Sequence, residues 1–339
     1  MIGIAVIGAG HWGPNLIRNF YDNDRSRVVW VCDLDRSRLD AARRRYPGVG
    51  ITVDAAEAIA DPAVEAVVVA TPTRTHHRWV REALERGRHV FVEKPLAACR
   101  AEAEELAELA VRAGRVLLVD HVFLYNPAVA RAKAYLDAGE LGRVRYVSSV
   151  RTNLGPVRVD VSAAWDLAAQ DVAILDDWLG ALPETAAASG GTWLNPGIED
   201  AVFATLRYPG NVLAHLHCSW LHPHKTREIV IVGEHRMLSY DDTNVAEPIR
   251  LYDKRIAEQR AQSLFVDTIE GFRSVVRDGE VLIPRVVLGA PLRAACEHFL
   301  DCVEMGERPR TDGRLGADVV RVLEAVERSL RAGGREEAV

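Results

Sequence analysis

Two short segments carry residue types at spacings that chemistry requires. Gly8-Ala9-Gly10-His11-Trp12-Gly13 follows an apolar run, Ile2–Ile7, and opens a helical pattern. Glycines at its first, third and sixth places allow a tight turn and let a pyrophosphate reach backbone N–H groups at a positively polarised helix start. Asp33 closes the next apolar run about 20 residues on, where a carboxylate can accept from a ribose 2′-hydroxyl. Together they read as a dinucleotide site, with His11 and Trp12 in the same loop. The Asp33 charge would repel a 2′-phosphate and favours NAD, while Arg36 and Arg38 nearby leave NADP open.

Glu93-Lys94-Pro95 follows another apolar run, His89–Val92. Only four of the 42 basic residues are lysines: Lys94, Lys133, Lys225 and Lys254. Arginine serves nearly everywhere else, so a retained lysine points to a position needing an ammonium that can lose its proton. A lysine partly desolvated beside a nicotinamide can position or deprotonate a hydroxyl, and Lys94 is the candidate; the plainer role is a surface partner for Glu93. Ala70-Thr71-Pro72-Thr73-Arg74-Thr75-His76 follows the run Val64–Ala70. Thr71, Pro72 and Thr73 would shape a loop over the cofactor and His76 would start a helix, with Thr75 as N-cap in the plainer reading.

Such segments need strand ends to hold them. Strands are expected at Ile2–Ile7, Val28–Cys32, Val64–Ala70, His89–Val92 and Arg115–Val119, rich in Val and Ile and mostly lacking period-two polarity, as strands buried on both faces should be. Helical patterns over His11–Tyr21, Arg36–Tyr46, His76–Arg86 and Arg100–Ala113 lie between them, the last two stopped by Gly87 and Gly114. This alternation predicts a doubly wound parallel sheet. After residue 121 the texture changes. Helices are expected over Asn126–Asp137 and Trp165–Leu179, then strands at Glu184–Trp193, Ala201–Tyr208, Val212–Trp220, Arg227–Val232, Arg236–Tyr240 and Ile249–Tyr252, which suggest an antiparallel meander. Residues 255–289 show no clear pattern, and Pro291–Met305 and Gly316–Leu330 read as closing helices.

The 339 residues suit about two domains, and 48% hydrophobic with 27% charged residues suits a folded chain. A net charge of −6 lacks the footprint of a nucleic-acid or anionic-membrane binder. The five cysteines are scattered and never spaced as CxxC, so reduced thiols are expected and no disulfide or zinc framework. His215, His217, His222 and His224 have no carboxylate or cysteine placed as a clear third ligand, so no metal is expected. Met1–Gly8 lacks a basic flank, a long apolar core and a cleavage site, and no later apolar run approaches about 18 residues. A cytoplasmic protein without a membrane span is the expectation.

AVIGAGHWG, ATPTRTH and VEKPLA, in this order, resemble the glucose–fructose oxidoreductase, inositol dehydrogenase and rhizopine-catabolism (Gfo/Idh/MocA) family. The resemblance covers the whole chain: DHVFLYNPAV, RTNLGPVRVDVSAAWDLAAQDVAIL, SWLHPHKTREIVIVG and CEHFLDCVEMGERPRTDG are similar to the branch acting on sugars and nucleotide-linked sugars, including 3-dehydrogenases of UDP-N-acetylglucosamine-type substrates. It implies an α/β chain with a Rossmann domain over 1–121 that binds NAD(P). A substrate domain over 122–339 would follow, built on an open, mainly antiparallel sheet used for homodimer or homotetramer contacts. Lys94 would sit at the reacting carbon of a sugar, with Glu93 on the cofactor side. His121, Tyr125 and Asn126 would lie beside the site, and Arg151 and Asn153 of the RTNLGP loop could contact a sugar or phosphate, with Asp171 on the same side.

The family's D-x-x-x-H-D segment, whose His commonly acts as acid and base, reads here Asp166-Leu-Ala-Ala-Gln170-Asp171. Oxidising a secondary alcohol requires a proton acceptor, and a carboxamide has none to offer. Gln170 can orient a hydroxyl or carbonyl only. Three explanations follow: Lys94, alone or with another group, handles the proton; the reaction runs as ketone reduction; or the protein binds cofactor without turnover. Substitute bases are Asp166, four residues before Gln170 and otherwise the N-cap of its helix, and His121 and Tyr125.

Overall fold

The computed structural model describes residues 1–256 and 276–339. In its first unit, β1 (Ile2–Ile7), β2 (Ser26–Cys32), β3 (Gly50–Thr52), β4 (Ala66–Val69), β5 (His89–Val92) and β6 (Leu117–Val119) pair in parallel in the order β3-β2-β1-β4-β5-β6. They alternate with α1 (Gly13–Tyr21), α2 (Arg36–Arg45), α3 (Ala55–Ala60), α4 (His76–Glu85) and α5 (Arg100–Ala113). Every residue of β1, β4 and β6 is buried, which accounts for their unbroken apolar runs. β3 and α3 were not expected, because three residues and six residues are too short for periodicity to register. Capping chemistry marks the second of them: the Asp54 side chain accepts from Ala56 N–H.

Among the described residues, the second unit is built on a nine-stranded sheet. α6 (Pro127–Asp137) and α7 (Ala169–Leu179) accompany β7 (Val144–Leu154), β8 (Thr185–Gly191), β9 (Ala201–Tyr208), β10 (Val212–Ser219), β11 (Leu221–Gly233), β12 (Met237–Asp241), β13 (Ile249–Ile256), β14 (Val276–Leu282) and β15 (Glu337–Ala338). The order is β14-β13-β12-β11-β7-β10-β9-β8-β15. The expected meander needs one correction: β7 lies between β11 and β10 and runs parallel to β10. Its buried residues include Ser149, Arg151 and Thr152 while Tyr146 is exposed, so no apolar alternation announces it. Arg151 and Asn153 therefore stand on a strand and not in a loop. A single π-helical turn, Ala164–Ala168, precedes α7. Trp178 of α7 packs edge-on to Tyr240 of β12 at 6.0 Å and donates its indole N–H to the Val129 carbonyl of α6 at 3.1 Å. Of the unassigned stretch 255–289, residues 257–275 lie outside the described residues.

α8 (Pro291–Met305) and α9 (Gly313–Arg331) close the chain. The compact units are Met1–Tyr125 with Ala290–Glu324, and Asn126–Gly289 with Ala325–Val339, so the first is discontinuous where a single break at 121 was expected. The reason is a core that the amino-terminal part leaves incomplete. Ala295, Cys296, Phe299, Leu300 and Cys302 of α8 are buried in it. Phe20 of α1, Phe91 of β5 and Phe299 stand mutually edge to face, with centroids 5.7, 6.1 and 5.7 Å apart. Arg25 adds ion pairs to Asp301 at 2.5 Å and Glu304 at 3.2 Å. Among the described residues no helix is long and apolar enough to cross a membrane. Phe299→Ala should destabilise the protein by about 3–5 kcal/mol, read as a lower urea midpoint; an unchanged midpoint would show that α8 adds nothing to this core.

Candidate active site

The carboxyl ends of the parallel strands hold the cofactor candidates. Gly8 takes φ +101°, and a Cβ on it would lie 2.5 Å from the Ala70 carbonyl oxygen; one on Gly13 would lie 2.1 Å from the Gly8 oxygen. Both places therefore require glycine. The loop opens at the start of α1, which no side chain caps. Asp33 Oδ2 accepts from Ala9 N–H at 2.7 Å and Oδ1 from Asp35 N–H at 2.8 Å, which fixes the carboxylate against the glycine loop. Arg38 Nη1 stands 3.5 Å from Asp33 Oδ2. His11 and Trp12 are exposed on the same loop. A cradle that side chains would fill, with an anchored acidic residue at its edge, fits a dinucleotide such as NAD.

The loop after β4 is tied to the loop after β5. Thr75 Oγ1 lies 2.7 Å from both Thr71 Oγ1 and the Pro72 carbonyl, so it braces the turn and does not cap α4. Thr73 is buried beneath. The buried His76 ring spans the two loops, with Nδ1 2.8 Å from the Pro95 carbonyl and Nε2 2.8 Å from the Thr71 carbonyl. A neutral ring can donate to only one of them at a time. Lys94 is half-buried just beyond β5 and precedes a cis peptide to Pro95.

Glu93 and Asp120 end neighbouring strands. β5 and β6 pair Val92 with Val119, and Asp120 N–H donates to the Val92 carbonyl at 2.8 Å. Both side chains are buried, and their carboxyls are hydrogen-bonded to each other. Burial, then the Glu93 charge and that bond, push the Asp120 carboxyl well above the usual carboxylate range, with Lys94 opposing. His121 follows, fully buried. The Tyr125 hydroxyl meets Thr311 Oγ1 at 3.0 Å, and burial pushes its phenol up.

In the second unit the expected substrate residues have structural partners. Asn126 caps α6, its Oδ1 accepting from Ala128 N–H at 2.9 Å, while Nδ2 donates to Tyr240 Oη and Asp242 Oδ1, each at 3.2 Å. Arg151 on β7 donates to Asp171 Oδ1 on α7 through Nε at 2.8 Å and Nη2 at 2.5 Å, and Ser149 Oγ donates to Oδ2 at 2.9 Å. Asn153 donates to the carbonyl of Gly155 in its own turn. Gln170 is buried in the first turn of α7, next to Asp171. Asp166 lies in the π-helical turn and not at a helix N-cap; it accepts from Trp220 Nε1 at 3.2 Å and Arg158 Nη1 at 3.3 Å.

Asp120, Arg158 and Trp220 were not singled out from sequence. Asp120 had a signal: it follows β6 as Glu93 follows β5. Two measurements test these placements. Asp33→Ser should weaken NADH binding about tenfold and raise the NADPH to NADH preference in fluorescence titrations, and unchanged affinities would remove Asp33 from the cofactor site. Asp120 binds its proton more tightly folded than unfolded. Its contribution is therefore complete at low pH and declines as pH climbs from the ordinary carboxylate range to the raised value. Urea midpoints should fall over that window in the parent and less in Asp120→Asn.

Two family models match the chain: the Gfo/Idh/MocA oxidoreductase family with its NAD-binding Rossmann fold over residues 2–121, and the Gfo/Idh/MocA C-terminal domain over 129–239. The NAD-linked scyllo-inositol 2-dehydrogenase of Bacillus subtilis is 31% identical over 152 residues, 44% of each chain. Matches to such curated relatives span about two-fifths of those proteins' own length. The crystal structure of a protein described as an oxidoreductase from Magnetospirillum magnetotacticum is 31% identical and superposes with TM-score 0.80, covering 96% of this chain and 99% of that one. The UDP-N-acetylglucosamine 3-dehydrogenase of Acidithiobacillus ferrooxidans shares the fold at 24% identity and TM-score 0.81, covering 99% of this chain and 100% of that one. With the 3-2-1-4-5-6 sheet and the glycine cradle, these matches show that the chain belongs to the Gfo/Idh/MocA family of oxidoreductases.

Proposed function

We propose that this chain is an NAD-dependent oxidoreductase that moves hydride between the nicotinamide and a ring carbon of a sugar or cyclitol bearing a hydroxyl or ketone. The observation that carries the reading is Lys94, half-buried at the same sheet edge as the Gly8–Gly13 cradle, in a chain that has replaced nearly all its lysines by arginine. Asp33 supports NAD as the usual partner, and Arg38 beside it leaves room for NADP. Bound NAD supplies the hydride acceptor; proton and position are left to the protein. Lys94 Nζ takes the hydroxyl proton as hydride departs, or returns it when the reaction runs as ketone reduction. Gln170 contributes a carboxamide that orients the reacting oxygen without taking its proton. Asp166, engaged by Arg158 and Trp220, is the weaker candidate for base.

A nucleotide-linked or amino sugar is the substrate class we favour. The 3-dehydrogenase of UDP-N-acetylglucosamine named above supports it, as do the RTNLGP and DHVFLYNPAV segments. Assembly as a homodimer or homotetramer in the cytoplasm accompanies this reading. Panels of nucleotide sugars with NAD, and of keto-sugars with NADH, followed by nicotinamide absorbance, test it. Lys94→Ala should lower kcat/KM about 10²–10⁴-fold on a confirmed substrate while NADH binding persists, and undiminished turnover would refute the role. A parent inactive on every panel member, with activity gained in Gln170→His, would favour a cofactor-binding protein that has lost its base.

A further inference from the structure

We propose that the buried ring of His76 is held as the imidazolium, protonated on both nitrogens, and that in this form it is a positioning residue for Lys94. The charge state follows from the ring's own contacts; the positioning role rests on the function proposed above. Nδ1 stands 2.8 Å from the Pro95 carbonyl oxygen and Nε2 stands 2.8 Å from the Thr71 carbonyl oxygen. A carbonyl oxygen accepts and never donates, so each ring nitrogen must bring the proton. Either neutral tautomer donates to one oxygen and sets the lone pair of its other nitrogen against the second oxygen, 2.8 Å away, on a ring only 1% exposed. Such an arrangement forfeits one hydrogen bond and adds a repulsion in its place. The cation makes both bonds, and makes them charge-assisted.

Both oxygens are held where they are. The Thr71 side belongs to a turn closed by Thr75, whose N–H donates to the Pro72 carbonyl at 2.9 Å and whose Oγ1 lies 2.7 Å from Thr71 Oγ1. On the other side Pro95, Leu96 and Ala97 are all buried. Burial and the start of α4, whose dipole repels a cation, oppose the charge; the two carbonyl dipoles aimed at the ring offset them. The neighbouring segments bring Arg74 in the turn before α4, Glu93 and Lys94 just beyond β5, and Asp120 hydrogen-bonded to Glu93. From α5 comes Glu105, which His77 and Arg81 engage at 3.0 and 3.5 Å. Gripped at both nitrogens, the turn after β4 and the turn that carries Lys94 are tied into one body, with Lys94 one residue before the carbonyl that His76 holds. A ring that loses one proton keeps one of these bonds and releases the other, and Lys94 then loses its fixed reference to the Thr71–Thr75 turn.

The chain has 11 histidines, so protein labelled with ¹⁵N in the histidine rings can be assigned. His76 is identified by its loss in His76→Gln or, should that variant not fold, by correlation from its own backbone in the parent. An imidazolium gives two ring-nitrogen shifts close together, and a neutral ring gives two far apart. At about pH 8, above the ordinary histidine value of about 6.5, His76 should still show the close pair. A widely split pair at that pH would overturn the proposal, and this readout needs no substrate. On a confirmed substrate, kcat of the parent should hold while the ring keeps both protons and fall where the spectrum records the loss of one. His76→Gln, which can donate to one carbonyl only, should lower kcat roughly 10–10²-fold while the KM for NAD is little changed, and should lack that alkaline fall. A parent kcat that stays level through the loss of the ring proton, or an undiminished kcat in the variant, would overturn the positioning role and leave both the charge state and the function of Lys94 standing.

Discussion

A parallel strand buried on both faces can present polar chemistry only at its ends. β1, β4, β5 and β6 are such strands, with almost no solvent-facing residue among them. Whatever the first unit does with charge must therefore happen where these strands stop. Gly8, Thr71, Glu93 with Lys94, and Asp120 are the residues that stand there, each just beyond an apolar run. The arrangement concentrates polar groups that would be costly inside the sheet into one row, and it sets them at strand spacing. Neighbouring strands lie about 4.8 Å apart, so side chains one residue past two paired strands meet.

The same constraint explains what could be read in advance. The glycine loop, Asp33, the Thr71–His76 turn and Lys94 lie on strand ends whose apolar runs are legible one strand at a time. Pairing between strands is not legible in that way. The Glu93–Asp120 contact depends on β5 and β6 being neighbours in register, a fact that neither segment states alone. β7 escaped notice because it buries Ser149, Arg151 and Thr152, and its polar face makes sense only once Asp171 of α7 is opposite. Asn126 read as a site residue and also caps a helix, since Asn before Pro is equally a sign of both.

The Arg151–Asp171 pair places Gln170 in a rigid setting. A buried ion pair that uses both partners' hydrogen bonds contributes little net stability, but it penalises any register of α7 on β7 that would separate the charges. Gln170, one residue before Asp171, inherits that fixed position. The Gln170 carboxamide therefore stands on a backbone that is firmly held.

The edge-to-face contacts of Phe20, Phe91 and Phe299 also bear on how the protein is made. Two of these rings leave the ribosome with the first strands and helices, and the third follows only after nearly the whole second unit has been synthesised. At roughly 5–20 residues per second, that interval lasts on the order of ten seconds. Throughout it the nascent cofactor-binding unit carries an apolar face with no partner of its own. Its final closure waits for α8, and the interval is when a chaperone would shield that face.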